Sequence, residues 1–124
     1  MPTDIYICFH SDDKKETENL VVRLDNYYTI QTPVEIQEKD EYLMKNSKLF
    51  VCFLSLSFLN EPNCMHRLNC ALSLSKRIII LSNETDNIDE SFLKTTSSKI
   101  LKLIFKSNQS NQDQVKKVID HCLR

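Results

Sequence analysis

The segment Glu61 to Cys70, EPNCMHRLNC, places a carboxylate, two thiols, an imidazole and a guanidinium within one short stretch. Cys64, His66 and Cys70 are residue types that hold soft metals or carry out nucleophilic chemistry. His66 and Cys70 stand four residues apart, a spacing at which two ligands on one helix can reach one ion. A structural zinc site also needs a fourth donor, usually within paired Cys-x-x-Cys spacing, and neither is evident. A thiol nucleophile needs a base oriented by a third group, and no carboxylate follows His66 nearby to orient it. The three residues are therefore read as helix packing, with no metal site and no catalytic residue assigned. Two charges remain in the segment. Arg67 is a cation that stays protonated, and Glu61 stands six residues before it. A second reactive group, His10-Ser11-Asp12-Asp13, follows the first apolar run, and Ser55 and Ser57 follow the third.

The elements that must position these groups can be read from periodicity. Ile5 to Phe9 is a short apolar strand. Ser11-Asp12-Asp13 starts a helix in which Asp13 and Glu16 have capping-box spacing, and Leu20, Val21, Leu24 and Tyr27 supply its apolar face. Thr29 to Gln31 is a weak strand bounded by Pro33. Val34 to Ser47 is read as a helix with a thin apolar face (Ile36, Tyr42, Leu43) and a Glu41–Lys45 pair at (i, i+4). Leu49 to Leu54 is the clearest strand, and its unbroken apolar character implies burial on both faces. A Ser-rich turn, a helix near Asn60 to Leu74 opened by Asn60-Glu61-Pro62, and a strand Ile78 to Leu81 follow. A polar loop spans Ser82 to Asp89, and a helical turn is expected near Glu90 to Thr95. Ile100 to Phe105 is a fifth strand, Lys106 to Gln112 a linker, and Val115 to Leu123 a last helix facing inward through Val115, Val118, Ile119 and Cys122.

Strands alternating with helices imply a parallel sheet covered on both faces. Five strands in a single domain over 1–124 suggest a flavodoxin-like, doubly wound α/β fold of order 2-1-3-4-5. Sites in such folds gather beyond the carboxyl ends of the strands. That edge carries His10, Ser11 and Asp12 after the first strand, Thr32 and Pro33 after the second, and Ser55, Leu56 and Ser57 after the third.

Composition narrows the chemistry. The chain has 124 residues, 41% hydrophobic and 27% charged, with a net charge of -1 from 16 basic and 17 acidic side chains. That balance gives no electrostatic reason for nucleic acid or an anionic membrane as a partner. No apolar run approaches the ~20 residues that span a bilayer, and MPTDIYICFH lacks the basic start and cleavage site of a secretory signal. The stretch Lys94 to Lys106 reads as a strand with solvated ends. Glycine is absent altogether, which excludes phosphate loops of the P-loop and dinucleotide types. The five cysteines, Cys8, Cys52, Cys64, Cys70 and Cys122, are odd in number and fall within predicted elements. They read as buried thiols of a reducing compartment, so the expected location is cytoplasmic. The sequons at Asn83 and Asn108 are then chance matches.

Among families of this strand order, a phosphorelay receiver would need an acidic residue where Leu54-Ser55 stand, and a flavodoxin a hydroxyl-rich loop where His10 to Lys14 stand. What the residues resemble is a TIR (Toll/interleukin-1 receptor homology) domain. Asp4-Ile5-Tyr6-Ile7-Cys8-Phe9-His10-Ser11 looks like the family's first box. Leu54-Ser55-Leu56-Ser57-Phe58-Leu59 looks like its third strand and the serine-bearing loop. Asn63-Cys64-Met65-His66-Arg67-Leu68 falls where the family has Trp-Cys and then an acidic residue before Leu. Ala71-Leu72 and Lys76 keep the spacing into Ile78-Ile79-Ile80.

The resemblance implies a protein-interaction module of immune or stress signalling, whose partners are other TIR domains, itself included. It also implies an enzymatic question. Active TIR domains cleave NAD with a glutamate on the third helix, and Arg67 occupies that position. The carboxylate would stabilise an oxocarbenium-like charge that a cation opposes. The expectation is therefore a catalytically inactive member, with no cofactor beyond weak NAD or nucleotide binding, and with His10, Ser11 and Ser57 lining a vestigial pocket. The loop after the second strand is abbreviated to Thr32-Pro33-Val34-Glu35 and lacks the family's Pro-Gly element. Those four residues, with Asn63 and Arg67, are the expected contact surface. Two alternatives stand beside this reading: an NAD nucleohydrolase whose carboxylate is displaced to Glu61, and a structural domain of a larger receptor or adaptor.

Overall fold

A computed structural model describes residues 3–83, 99–106 and 108–123. Strands β1 (Thr3–Cys8), β2 (Ile30–Gln31), β3 (Ser47–Phe53), β4 (Ile78–Ser82) and β5 (Ile100–Ile104) form one parallel sheet in the order β2-β1-β3-β4-β5. This is the expected flavodoxin-like α/β arrangement. The ladders fix which side chains meet: Tyr6 lies opposite Phe50 and Cys8 opposite Cys52, while Phe50 to Phe53 lie opposite Ile78 to Leu81. The three inner strands read as unbroken apolar runs because successive side chains enter different cores.

Helices α1 (Lys14–Asp25) and α5 (Gln109–Leu123) cover one face. There Leu20, Leu24, Val115 and Ile119 pack on Ile5, Ile7, Leu49, Val51, Phe53, Ile79 and Leu81. Helices α2 (Gln37–Lys45), α3 (Leu56–Leu59) and α4 (Pro62–Ser73) cover the other. There Met44, Phe58, Cys64, Leu68 and Ala71 pack on Tyr6, Cys8, Phe50, Cys52, Leu54, Ile78 and Ile80. The Tyr6 and Phe50 rings stack with centroids 5.6 Å apart.

Several local expectations are corrected. Asp13 makes no helix-capping bond. The 3-10 turn at Ser11–Asp13 is capped instead by His10, whose Nδ1 accepts the Asp12 N–H at 3.0 Å. Tyr27 falls beyond α1 and is 65% exposed, with the Lys116 ammonium 4.2 Å above its ring. α2 starts later than expected and does not reach Ser47, which opens β3. Of its expected apolar face only Leu43 packs on the core; Ile36 and Tyr42 are exposed, and Met44 with Asp40 is what the helix buries. Glu41 lies 3.6 Å from His66, a contact between α2 and α4 in place of the expected pair with Lys45.

The segment after β3 divides into two helices. Ser55 caps the first by accepting the Phe58 N–H at 3.1 Å. Most of the expected Lys106–Gln112 linker belongs to α5. Asn108 accepts the Asn111 N–H at 2.8 Å, and Asn111 Nδ2 donates to the Ile104 carbonyl at 2.9 Å, so polar side chains start the helix and tie it to β5. The turn expected near Glu90 to Thr95 lies outside the described residues.

The lack of glycine is felt at the end of α4. Ser75 takes φ 54°, its N–H bonds the Leu72 carbonyl, and the Lys76 N–H bonds that of Ala71, each at 3.1 Å. This is a Schellman termination with serine in the left-handed position that glycine usually fills.

Candidate functional site

The side of the sheet facing α4 places polar chemistry where its carboxyl end meets α2 and α4. β1 alternates, so Ile5 and Ile7 enter the aliphatic core while Tyr6 and Cys8 point towards α2 and α4. A fully buried phenol needs a hydrogen-bond partner, and Asp40 of α2 supplies it. Asp40 is 4% exposed. Its Oδ1 accepts the Tyr6 hydroxyl and the Val34 N–H (3.2 Å), and its Oδ2 accepts Arg67 Nε at 2.8 Å. Arg67 Nη2 reaches the Val34 carbonyl at 3.5 Å. Both backbone polar groups of Val34 are thus held by the two halves of one ion pair, and the loop after β2 is tied to α2 and α4 at once.

Burial, followed by the hydrogen bond to and charge of Asp40, pushes the Tyr6 hydroxyl far above its ordinary range. Burial works against charge on Arg67, but the hydrogen bond and charge of Asp40 outweigh it and raise the guanidinium further. Arg67 is a fixed cation at this place.

Around the pair opens a cleft of about 450 Å³ lined by Val34, Glu35, Asp40, Pro62, Asn63, His66 and Arg67. Four of the residues expected to form a contact surface, Val34, Glu35, Asn63 and Arg67, therefore share one cleft. Thr32 and Pro33 precede it in the chain and are exposed and half-buried. Glu61 is engaged elsewhere: it caps α4 by accepting the Asn63 N–H at 3.3 Å, ahead of Pro62 in the first turn.

His10, Ser11 and Ser57 gather at the neighbouring end of β1 and β3, and none of them lines the cleft. Ser57 Oγ donates to Asp12 Oδ2 at 3.4 Å, His10 holds the Asp12 N–H, and Ser11 is exposed. Beneath them Asp13, 9% exposed, accepts a hydrogen bond from Ser55. A roomier groove of about 850 Å³ lies between β5 and α5. It is lined by lysine, amide, hydroxyl and aliphatic side chains, among them Lys102, Leu103, Asn111 and Val118. Among the described residues it is lined by no carboxylate, thiol or imidazole, so the chemistry concentrates in the smaller cleft.

Sequence reasoning found Arg67 but missed Asp40 and Tyr6. Nothing local in Lys39-Asp40-Glu41 sets Asp40 apart from its charged neighbours. The available signal was the reverse one: a tyrosine inside a strand buried on both faces requires an acceptor.

Among the described residues no cluster of side chains suits a metal ion, and no helix is long and apolar enough to cross a membrane. The sequence matches no protein-family model and no curated protein. Solved structures do resemble it in fold. The CMP N-glycosidase of Clostridium botulinum superposes with a TM-score of 0.66 at 21% identity, over 90% of this chain and 98% of that one. The TIR domain of a Toll-related receptor from Hydra magnipapillata gives 0.68 at 18% identity, over 95% and 98%. A lysine decarboxylase from Francisella novicida gives 0.60 at 17% identity, over 97% of this chain but 17% of that one. At these identities the likeness speaks for the fold.

Proposed function

We propose that this chain is a protein-interaction module of the TIR type, acting in innate immune or stress signalling through contacts with other TIR domains and with copies of itself, and turning over no NAD. The observation that carries the reading is the Arg67–Asp40 pair in the cleft. Breaking an N-glycosidic bond builds positive charge on the ribose, and a catalyst needs an uncommitted anion facing it. Arg67 presents a cation there, and the buried carboxylate beside it is already committed to three donors. The fold likeness to a receptor TIR domain over nearly the whole of both chains supports the module reading. Thr32, Pro33, Val34 and Glu35, with Asn63 and Arg67, form its contact surface, and affinity comes from clustering weak contacts. The module needs no cofactor, binds no nucleic acid, inserts in no membrane and acts in the cytoplasm.

A second reading has its own support. The equally close fold likeness to a CMP N-glycosidase, together with the exposed Glu35 at the cleft wall, favours cleavage of an N-glycosidic bond in NAD or a nucleotide. Glu35 or Glu61 would then serve as the displaced carboxylate.

Turnover decides between them. Purified protein at high concentration with a crowding agent is incubated with NAD and, separately, with CMP, and the released bases are measured by chromatography. The expected result is no nicotinamide or cytosine above blank, under conditions in which an active relative turns over. Release that Glu35→Ala or Glu61→Ala abolishes would establish the glycosidase reading and end the inactive one. Sedimentation velocity tests the module itself. Association that rises with concentration and weakens in Glu35→Arg is expected, and a monomer at every concentration, alone and mixed with other TIR domains, counts against it.

A further inference from the structure

Arg67 is only partly spent by its own fold. Its Nε donates to Asp40 Oδ2 at 2.8 Å, and its Nη2 reaches the Val34 carbonyl at 3.5 Å. A guanidinium offers N–H donors on every nitrogen and has no acceptor. Nη1 makes no hydrogen bond among the described residues, and none of their buried side-chain nitrogens lacks a partner. Nη1 therefore stands open to solvent, on a side chain that lines the cleft and is 19% exposed. A cation so placed has lost most of its water and still has N–H groups to give. An oxyanion brought to it makes hydrogen bonds stronger than neutral ones.

The surroundings select the oxyanion. The start of α4 is closed to it, because Pro62 has no N–H and Glu61 holds that of Asn63. A doubly charged phosphate would meet one guanidinium, no backbone cradle, and the carboxylates of Asp40 and Glu35 in the same cleft. A single carboxylate meets less repulsion and matches the guanidinium fork. Glu35 is a second uncommitted charge: it is exposed and makes no hydrogen bond or ion pair among the described residues. It gives the wall of the cleft the sign opposite to Arg67. At about 450 Å³ the cleft is at the small end of ligand pockets, and it takes side chains rather than a whole element.

We propose that the partner seats a carboxylate side chain, Asp or Glu, on Arg67 and sets a basic side chain beside it against Glu35. The cleft thus reads an adjacent acid and base on a protein surface. A partner with the two charges exchanged meets repulsion at both places, which is how charged interfaces reject wrong partners. Asn63, exposed in the first turn of α4, brings to the same cleft a side-chain amide that can serve either charge. The inference rests on the interaction reading of this cleft and names the chemistry of the partner.

The probe is the blocked dipeptide acetyl-Glu-Lys-amide, which carries no net charge. It is titrated into the isotope-labelled full chain and followed by amide chemical shifts. The expected result is a saturable change at Val34, Glu35, Asn63 and Arg67. Affinity should fall about tenfold for acetyl-Gln-Lys-amide, and as far in the double variant Asp40→Leu/Arg67→Met, whose spectrum shows whether it is folded. Glu35→Gln should abolish the preference for acetyl-Glu-Lys-amide over acetyl-Glu-Gln-amide. Equal binding of the Glu and Gln dipeptides to the unaltered chain would overturn the proposal. So would inorganic phosphate that moves the same signals at lower concentration than the dipeptide, which would point to a nucleotide. The interaction reading fails separately, by a monomer in sedimentation both alone and mixed with other TIR domains. Self-association that the double variant leaves unchanged, with the dipeptide silent, would sink this inference alone.

Discussion

The sheet presents two faces built by alternate residues of the same strands, and they bury different chemistry. Towards α1 and α5 the strands contribute Ile5, Ile7, Leu49, Val51, Phe53, Ile79 and Leu81, a largely aliphatic layer sealed by leucine, valine and isoleucine. Towards α2 and α4 they contribute Tyr6, Cys8, Phe50 and Cys52, and the helices answer with Cys64, Asp40 and Arg67. A one-residue shift of β1 or β3 would exchange the two sets. The face under α1 and α5 is mostly hydrophobic burial, and the polar side chains those helices bury, Thr17 and Gln112, are uncharged. The other accepts a buried carboxylate and a guanidinium, groups that burial alone penalises, and gains from them a fixed loop and a charged cleft. Function is therefore expected on the face that tolerates the costlier residues.

The largest test of that contrast is removal of one half of the ion pair. Asp40→Ala leaves Arg67 without its carboxylate partner, and Tyr6 and the Val34 N–H without their acceptor. Breaking a buried pair from one side costs about 3–5 kcal/mol, and chemical denaturation should show it. The sharper arm is the double variant Asp40→Leu/Arg67→Met, which replaces both charges with apolar volume and is expected to regain most of that loss. A double variant as unstable as Asp40→Ala would mean that the loop tie at Val34, and not charge compensation, carries the stability. Ile7→Val on the aliphatic face serves as the reference, at about 1 kcal/mol.

A smaller effect is expected at Tyr6. Tyr6→Phe keeps the ring stacked on Phe50 and removes one of three donors to Asp40. The loss should be about 1–1.5 kcal/mol, measured by urea denaturation. A cost near zero would show the hydroxyl to be incidental.

Alkaline pH separates the faces without mutation. Cys8 and Cys52 are held above their ordinary 9.0, and Tyr6 above 10.0. A group raised on folding contributes stability that is complete below its unfolded value and is lost as pH rises beyond it. Stability should therefore fall from pH 9 upward, by about 1.4 kcal/mol per pH unit for each buried thiol, with Tyr6 adding above pH 10. Cys64, lowered on folding, adds no slope above 9. Cys52→Ala should flatten the curve by one thiol's share, whereas Ile7→Val should leave its shape unchanged. A slope unmoved by Cys52→Ala would assign the alkaline loss to other groups.

How much of this was legible in the chain follows from the range of the interactions. Sheet order and the inner strands were legible because apolar runs such as Leu49 to Leu54 report burial on both faces without reference to any partner. The position of Arg67 on the helix after β3 was legible from spacing. Helix starts were misjudged where one polar side chain sets them, as Asn108 does for α5. Asp40 was not legible at all. Its donors stand 34 and 27 residues away, at Tyr6 and Arg67, and locally it looks like any acid on a solvated helix. The meeting of Cys8 with Cys52 was hidden in the same way, since only the ladder between β1 and β3 brings them together.

The smallest prediction concerns the far end of α4, where the face can be strengthened without touching its chemistry. Ser75 holds φ 54° with its Cβ in the left-handed region, which costs an L-residue about 1–2 kcal/mol, while Leu74 and Ser75 are exposed. Ser75→Gly removes that crowding and keeps the Schellman bonds from Ser75 to Leu72 and from Lys76 to Ala71. Part of the gain is offset by the greater freedom of glycine in the unfolded chain. The net should be a stabilisation of about 0.5–1 kcal/mol, read as a rise in melting temperature. Combining Ser75→Gly with Asp40→Ala should give an additive result, because the two sites share no partner. Departure from additivity beyond about 0.5 kcal/mol would show that the ion pair and the helix terminus are coupled through α4, and the polar face would then be one cooperative unit and not a cleft set into a passive scaffold.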